Sequence, residues 1–185
     1  GSFCDTTDFN PGIESFNLPS GGPTSDYPSA FILKLDSGGN FIWAKSIIGY
    51  FSKVTLAAIT FDNAGNIYTI GGVYNYEGST ILLYPEKNVL VSNISTNNTA
   101  FMVKLTPFGE LVWSRQLQSS TFGAIAIDHL NHIYITGSFS GTVNFGSIVA
   151  PYNLSTPGYG TNMFVLKTDS SGVCIWAKQM EGYSS

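Results

Sequence analysis

The chain has 185 residues, of which 43% are hydrophobic and 11% charged, and 8 Lys and Arg against 12 Asp and Glu leave a formal net charge of -4. So little charge with so much apolar surface excludes a disordered tail or a coiled coil, and the length fits one domain able to bury a sizeable core. A pI near 4.9 without a basic run argues against nucleic acid or an anionic membrane as partner, and no apolar run approaches the roughly 18 residues of a membrane-spanning helix.

Gly1-Ser2-Phe3 opens the chain as the end of a strand, and Phe31-Ile-Leu-Lys34 and Phe41-Ile-Trp43-Ala-Lys45 follow as two more. Further strands, lettered A to D in order within each set, are predicted at about 56–62, 66–72, 100–105 and 110–117, then at 122–128, 132–139, 162–168 and 173–179. Each is short, rich in β-branched and aromatic residues, and bounded by a turn such as Asp36-Ser-Gly-Gly39, Asp62-Asn-Ala-Gly65, Thr106-Pro-Phe-Gly109 or Asp169-Ser-Ser-Gly172. No segment shows a sustained helical period. The connection from Asn75 to Thr99 is long, and within it Thr80 to Tyr84 and Asn88 to Val91 read as an extra hairpin.

These strands belong to a repeat. Phe31, Phe101 and Phe164 each precede a Lys by three positions (Lys34, Lys104, Lys167) and a Trp by twelve (Trp43, Trp113, Trp176). Asp62, Tyr68 and Gly71 recur 66 residues later as Asp128, Tyr134 and Gly137, and Gly1, Phe3 and Phe9 recur as Gly137, Phe139 and Phe145. The last match favours Gly1-Ser2 as part of the repeat over a cloning scar. The expected fold is all-β, with four-stranded antiparallel blades that bury their faces only against neighbouring blades, as in a β-propeller. The divisions are a half blade of strands C and D at 1–55 and full blades at 56–120 and 121–185. Such a count does not close a ring, so the chain reads as part of a larger propeller, or as a subunit whose edge pairs with another chain in an assembly.

The pattern Asp-x-x-Gly-Asn-Ile-Tyr, then Gly-Ser-Phe-x-Gly-Thr-Val-Asn-Phe-Gly, then Phe-x-x-Lys-Leu-Asp-x-x-Gly-x-x-x-Trp-Ala-Lys resembles the SBBP-type β-propeller repeat of secreted and cell-surface proteins. The resemblance implies a propeller, often of seven blades, with a binding or structural role and no shared catalytic residues to carry over. The chain departs from the pattern in its long 75–99 connection.

Repeat position decides most of the polar side chains. Lys34, Lys104, Lys167, Lys45, Arg115 and Lys178, like the three Trp, sit at equivalent sites and are expected to serve blade packing. Asp62 and Asp128 are expected to cap turns; the Asp62 loop supplies too few oxygens for calcium, and His129 and His132 lack the further ligands zinc needs. An Asp-box of the sialidase type fails on spacing, since Trp follows Asp36 and Asp169 by seven positions, and neither a Gly-x-Ser-x-Gly elbow nor a His-Glu-x-x-His motif occurs. No catalytic residue, metal or cofactor is expected.

Cys4 and Cys174 are the only cysteines; Cys174 reads as a buried thiol, with a Cys4–Cys174 bond or a bond to another chain as alternatives. Asn93, Asn97 and Asn153 head Asn-x-Ser/Thr sequons, all in connections leaving one face of the blades. Tyr76, Tyr84, Tyr152 and Tyr159 are candidate contacts in the 75–99 and 150–162 loops. The expected function is a structural or protein-interaction module, extracellular or on a cell or particle surface, with further blades or other subunits as partners and no membrane insertion. The alternatives are a lectin that binds glycans through loop aromatics, or part of a larger propeller enzyme.

Overall fold

The computed structural model describes residues 1–21, 26–50, 52–75, 80–83, 89–93, 99–118, 120–147, 149–156 and 160–181. Among them there is no helix, and every paired strand is antiparallel. The second sheet consists of β6 (Ser52–Phe61), β7 (Ile67–Asn75), β10 (Thr99–Leu105) and β11 (Leu111–Gln118), in the order β11-β10-β7-β6. The third repeats it with β12 (Ser120–Ile127), β13 (Ile133–Ser140), β16 (Thr161–Thr168) and β17 (Cys174–Met180). Consecutive strands joined by tight turns pair with each other, which is the wiring expected of propeller blades.

The first sheet is fuller than a pair of strands. Its centre is β4 (Ser29–Leu35) and β5 (Phe41–Gly49), with β1 (Ser2–Phe3) on one edge. On the other edge lies a hairpin of β8 (Thr80–Leu83) and β9 (Val89–Asn93), where Ile47 pairs with Leu83 and Gly49 with Ile81. This is the hairpin expected inside the 75–99 connection, and it leaves its own blade to cap the outer strand of the preceding one. Two short hairpins complete the fold: β2 (Thr7–Asp8) with β3 (Asn17–Leu18), and β14 (Thr142–Asn144) with β15 (Asn153–Ser155).

The turns repeat one geometry. In the β6–β7 turn the Gly65 amide donates to the Asp62 carbonyl at 2.9 Å and the Asp62 amide donates to the Asn66 carbonyl at 3.1 Å. The fourth position must then take left-handed backbone, which Gly65 does at φ 78°; the β12–β13 turn uses Asn131 at φ 62°, the residue type that tolerates this region next best.

Successive side chains point to opposite faces of each sheet. Ile67, Val73, Phe101, Val103 and Leu105 of the second sheet meet Ala30, Ile32 and Ile47 of the first in one cluster. Their sequence neighbours Tyr68, Ile70 and Met102 point the other way, into a cluster with Ile133, Ile135, Phe139, Phe164 and Leu166 of the third. The central strands β7 and β10 of the middle sheet are therefore covered on both faces along most of their length, while Ile59, Phe61 and Val112 on its edge strands are exposed, and each fully buried Phe or Ile there stabilises the fold by roughly 1.5–3 kcal/mol.

One cross-strand pair recurs in all three sheets. Gly71 lies opposite Phe101 and Gly137 opposite Phe164, while the Phe31 amide donates to the Gly1 carbonyl at 3.0 Å. A ring lies over the bare backbone each time; a Cβ on Gly1, Gly71 or Gly137 would come within 2.6 to 2.8 Å of that Phe. Two further rings join at the first and third sheets: Phe9 is 4.7 Å from Phe31 and 5.0 Å from Phe3, and Phe145 is 4.8 Å from Phe164 and 5.9 Å from Phe139. The Gly-Ser-Phe motif of the sequence is thus a packing device.

Candidate functional site

The polar residues singled out by the repeat assemble into two structures, a turn anchor within each blade and a clasp between blades. In the anchor, one oxygen of the Asp62 carboxylate accepts from the amides of Ala64 (3.0 Å) and Asn66 (2.9 Å). The other accepts from Asn66 Nδ2 at 2.8 Å and the Tyr68 hydroxyl at 3.0 Å. Asp128 does the same with the amides of Leu130 and His132, with His132 Nδ1 at 2.9 Å and with the Tyr134 hydroxyl at 3.2 Å. Sequence reasoning placed the Asp in the turn but missed its side-chain partners. The signal was present, since Asn66 and His132 follow their Asp by four and Tyr68 and Tyr134 by six.

Electrostatics follow from these bonds. Burial works to raise the Asp62 and Asp128 pKa values, but the donated hydrogen bonds outweigh it and hold both below the usual carboxylate range. Asp169 is lowered in the same way, and at Asp36 the Asn40 side chain leads the lowering. The Tyr68 phenol moves the other way, raised by its burial and by donation to Asp62.

The clasp joins strands C and D of one blade to the C–D turn of the next. Lys34 Nζ of the first sheet donates to the Pro107 carbonyl of the second at 2.8 Å. One blade further on, Lys104 Nζ and Trp113 Nε1 both donate to the Ser170 carbonyl at 3.3 Å, and Arg115 Nη2 donates to the Ser171 carbonyl at 3.4 Å. The turns seat closely: a Cβ on Gly109 would lie 3.1 Å from the Lys45 stem and 3.3 Å from Trp43, and one on Gly172 would lie 3.1 Å from Trp113 and 3.3 Å from Arg115. Lys104 also sits 4.8 Å over the Tyr68 ring and 3.9 Å from Asp62, which links the anchor of one blade to the turn of its neighbour. The recurring Lys, Arg and Trp hold blades together rather than serving a single sheet.

Between the second and third sheets lies a cleft of about 240 Å³ lined by Met102, Arg115, Phe122, Leu166, Thr168 and Cys174. Its one cation, Arg115, is committed to the clasp, and burial pushes the Cys174 thiol up, which keeps it protonated at neutral pH. Cys4 and Cys174 are not bonded to each other, and each is half-buried. Among the described residues, no three His, Cys, Asp or Glu side chains form a group able to hold a metal ion. His132 is turned to Asp128, and the His129 carbonyl accepts from Asn63 Nδ2 at 3.5 Å.

Of the candidate surface residues, Asn153 is exposed on β15, and Asn93 ends β9. Tyr152 packs against the third sheet's core, with its hydroxyl donating to the Ala177 carbonyl at 3.0 Å. Asn97, Tyr76, Tyr84 and Tyr159 lie outside the described residues.

Comparison with protein-family models returns no match. Over 160 residues the chain is 29% identical to an uncharacterized WD repeat-containing protein of Acanthamoeba polyphaga mimivirus, covering 79% of this chain and 11% of that protein's length. The fold is propeller-like. In this propeller the Trp-Asp dipeptide that names such repeats is absent, since Trp43, Trp113 and Trp176 are followed by Ala44, Ser114 and Ala177.

Proposed function

We propose that the chain is a non-catalytic structural and protein-interaction module, built from SBBP-type blades, of a secreted or surface-exposed protein. One observation carries the reading: the repeated polar groups of the second sheet are consumed in the anchors and clasps. Asp62 accepts four hydrogen bonds, and Lys104, Trp113 and Arg115 are spent on backbone carbonyls. A rigid ladder of this kind presents its connecting loops to a partner, as scaffolds with functional loops do. Support for an extracellular setting comes from the three sequons, all in B-to-C connections, with Asn153 exposed.

Cross-linking mass spectrometry on native material tests the reading. Links from the 75–99 and 150–162 connections to another polypeptide are expected, weakened by Tyr76→Ser with Tyr84→Ser. Unchanged links in that double variant would remove the 75–99 loop from the interface. Selective binding on a glycan array would move the protein to the lectins.

A further inference from the structure

The interfaces between blades share one plan but are filled differently. Between the first and second sheets, Leu105 and Leu111 pack in the cluster that holds Ile32. Between the second and third, Met102 occupies the repeat position of Ile32, while Thr168 and Cys174 occupy those of Leu105 and Leu111. Both are smaller than leucine, and the cleft of about 240 Å³ lies against them. Its two walls are faces that the chain stacks on each other, and the turn of the β14–β15 hairpin borders it with Gly146, Ser147 and Ala150. A void forfeits the contacts its lining would otherwise make. One blade earlier the same repeat fills both positions with leucine, so the fold itself does not require the space.

The lining is apolar on one side and cationic on the other. Met102, Phe122, Phe145 and Leu166 supply the apolar wall, and among the described residues around the cleft Arg115 is the one charged side chain. A guanidinium carries five N–H donors, and the clasp takes one from Nη2 at 3.4 Å, the longest of the clasp bonds. Asp169, the carboxylate that feels this charge, is turned into its own turn, where it accepts from the Ser171 and Val173 amides and from the Ser171 hydroxyl at 2.7 Å. Thr168 donates its hydroxyl to the Asp169 carbonyl at 3.0 Å, and burial keeps the Cys174 thiol protonated, so neither adds negative charge to the cleft. A cavity of about 150 Å³ lined by Leu, Ile and Phe holds benzene. This one has room for such a ring with a short acid arm.

We propose that the cleft between the second and third sheets binds a small aromatic carboxylate, with its ring against Met102, Phe122 and Leu166 and its carboxylate on the Arg115 guanidinium. The planar fork of a guanidinium matches a carboxylate through two parallel N–H···O bonds, each about twice as strong as a neutral hydrogen bond. A ligand seated there touches β11 of one blade and β17 of the next, beside the clasp that joins them. The site lies beyond the interaction module proposed above and stands or falls separately from it.

Saturation-transfer NMR on the 185-residue chain tests it, with phenylacetate and its uncharged counterpart phenylacetamide as probes. Phenylacetate is expected to bind, and phenylacetamide to bind roughly tenfold or more weakly. Arg115→Gln should weaken phenylacetate to the level of the amide. Because that change also touches the clasp, Cys174→Leu supplies a second variant: it gives the third sheet the side chain found at position 111, should match the parent by circular dichroism, and should abolish phenylacetate binding by filling the cleft. In the parent chain phenylacetate should also slow iodoacetamide labelling of Cys174, read by peptide mass spectrometry, and leave that of Cys4 unchanged. No binding of phenylacetate, equal binding of the two probes, a preference that survives Arg115→Gln, or binding undiminished in Cys174→Leu overturns the proposal.

Discussion

Gly71 and Gly72 are adjacent on β7, and replacing each by Ala should change stability in opposite directions. Added to Gly71, a Cβ would clash with the Thr55 carbonyl oxygen and lie 2.8 Å from the Phe101 ring. Added to Gly72, it would lie 3.9 Å from Tyr74 at its nearest, an ordinary contact. Gly→Ala in a compatible backbone stabilises by roughly 0.4–1 kcal/mol, because the unfolded chain loses freedom. Overpacking a dense site costs about 1–3 kcal/mol. At Gly71 the obstructing oxygen belongs to the paired strand β6, beside the irregularity between Leu56 and Ala58, so relief must shift the ladder itself. The net expectation is a loss of about 1–2 kcal/mol for Gly71→Ala and no loss or a gain of about 0.5 kcal/mol for Gly72→Ala. Urea titration of both variants reads this as midpoints moved apart with an unchanged slope. Gly137→Ala should repeat the Gly71 result, since its Cβ meets the Thr121 carbonyl and lies 2.8 Å from Phe164. Equal midpoints for the 71 and 72 variants would refute the account of the Gly–Phe pair.

Three further outcomes follow from the anchors and clasps. Trp113→Phe removes an indole that donates to Ser170 and should cost about 1 kcal/mol, whereas Trp43→Phe removes a buried indole N–H without a partner and should be neutral or stabilising; thermal midpoints of the pair decide. The native pKa values of Asp36, Asp62, Asp128 and Asp169 are lowered, so the unfolded state binds more protons in acid. Their contribution is present above the ordinary carboxylate pKa of about 4 and is lost as pH falls below it. Asp62→Asn should therefore flatten the acid limb of a stability-against-pH curve, and an unaltered limb would refute the anchor. Burial raises the Cys174 pKa, so iodoacetamide should label it more slowly in the folded chain than in urea, with the gap closing as pH rises; equal rates would contradict its place in the cleft.

The sequence alone determined the longer strands and their turns, because both are local, but not the short β2–β3 and β14–β15 hairpins. Runs rich in β-branched and aromatic residues, such as 100–105 and 162–168, and the turns that bound them predict elements that the structure places within a few residues of expectation, β6 departing furthest by starting at Ser52. It also located the Lys, Trp and Arg positions through repetition, and the extra hairpin through two apolar runs. What those groups touch depended on how sheets stack. Lys104 reaches Ser170 across 66 residues and Lys34 reaches Pro107 across 73, so the clasp exists only once neighbouring blades are in place. The β8–β9 hairpin leaves its own repeat for the outer edge of β5, a choice set by an open ladder on the preceding sheet. Tyr68 and Tyr134 occupy one repeat position, and only the presence of a covering sheet makes the first fully buried and the second half-exposed. A repeat fixes each residue's role inside its blade; burial and partners come from the neighbours, which a period in sequence does not specify.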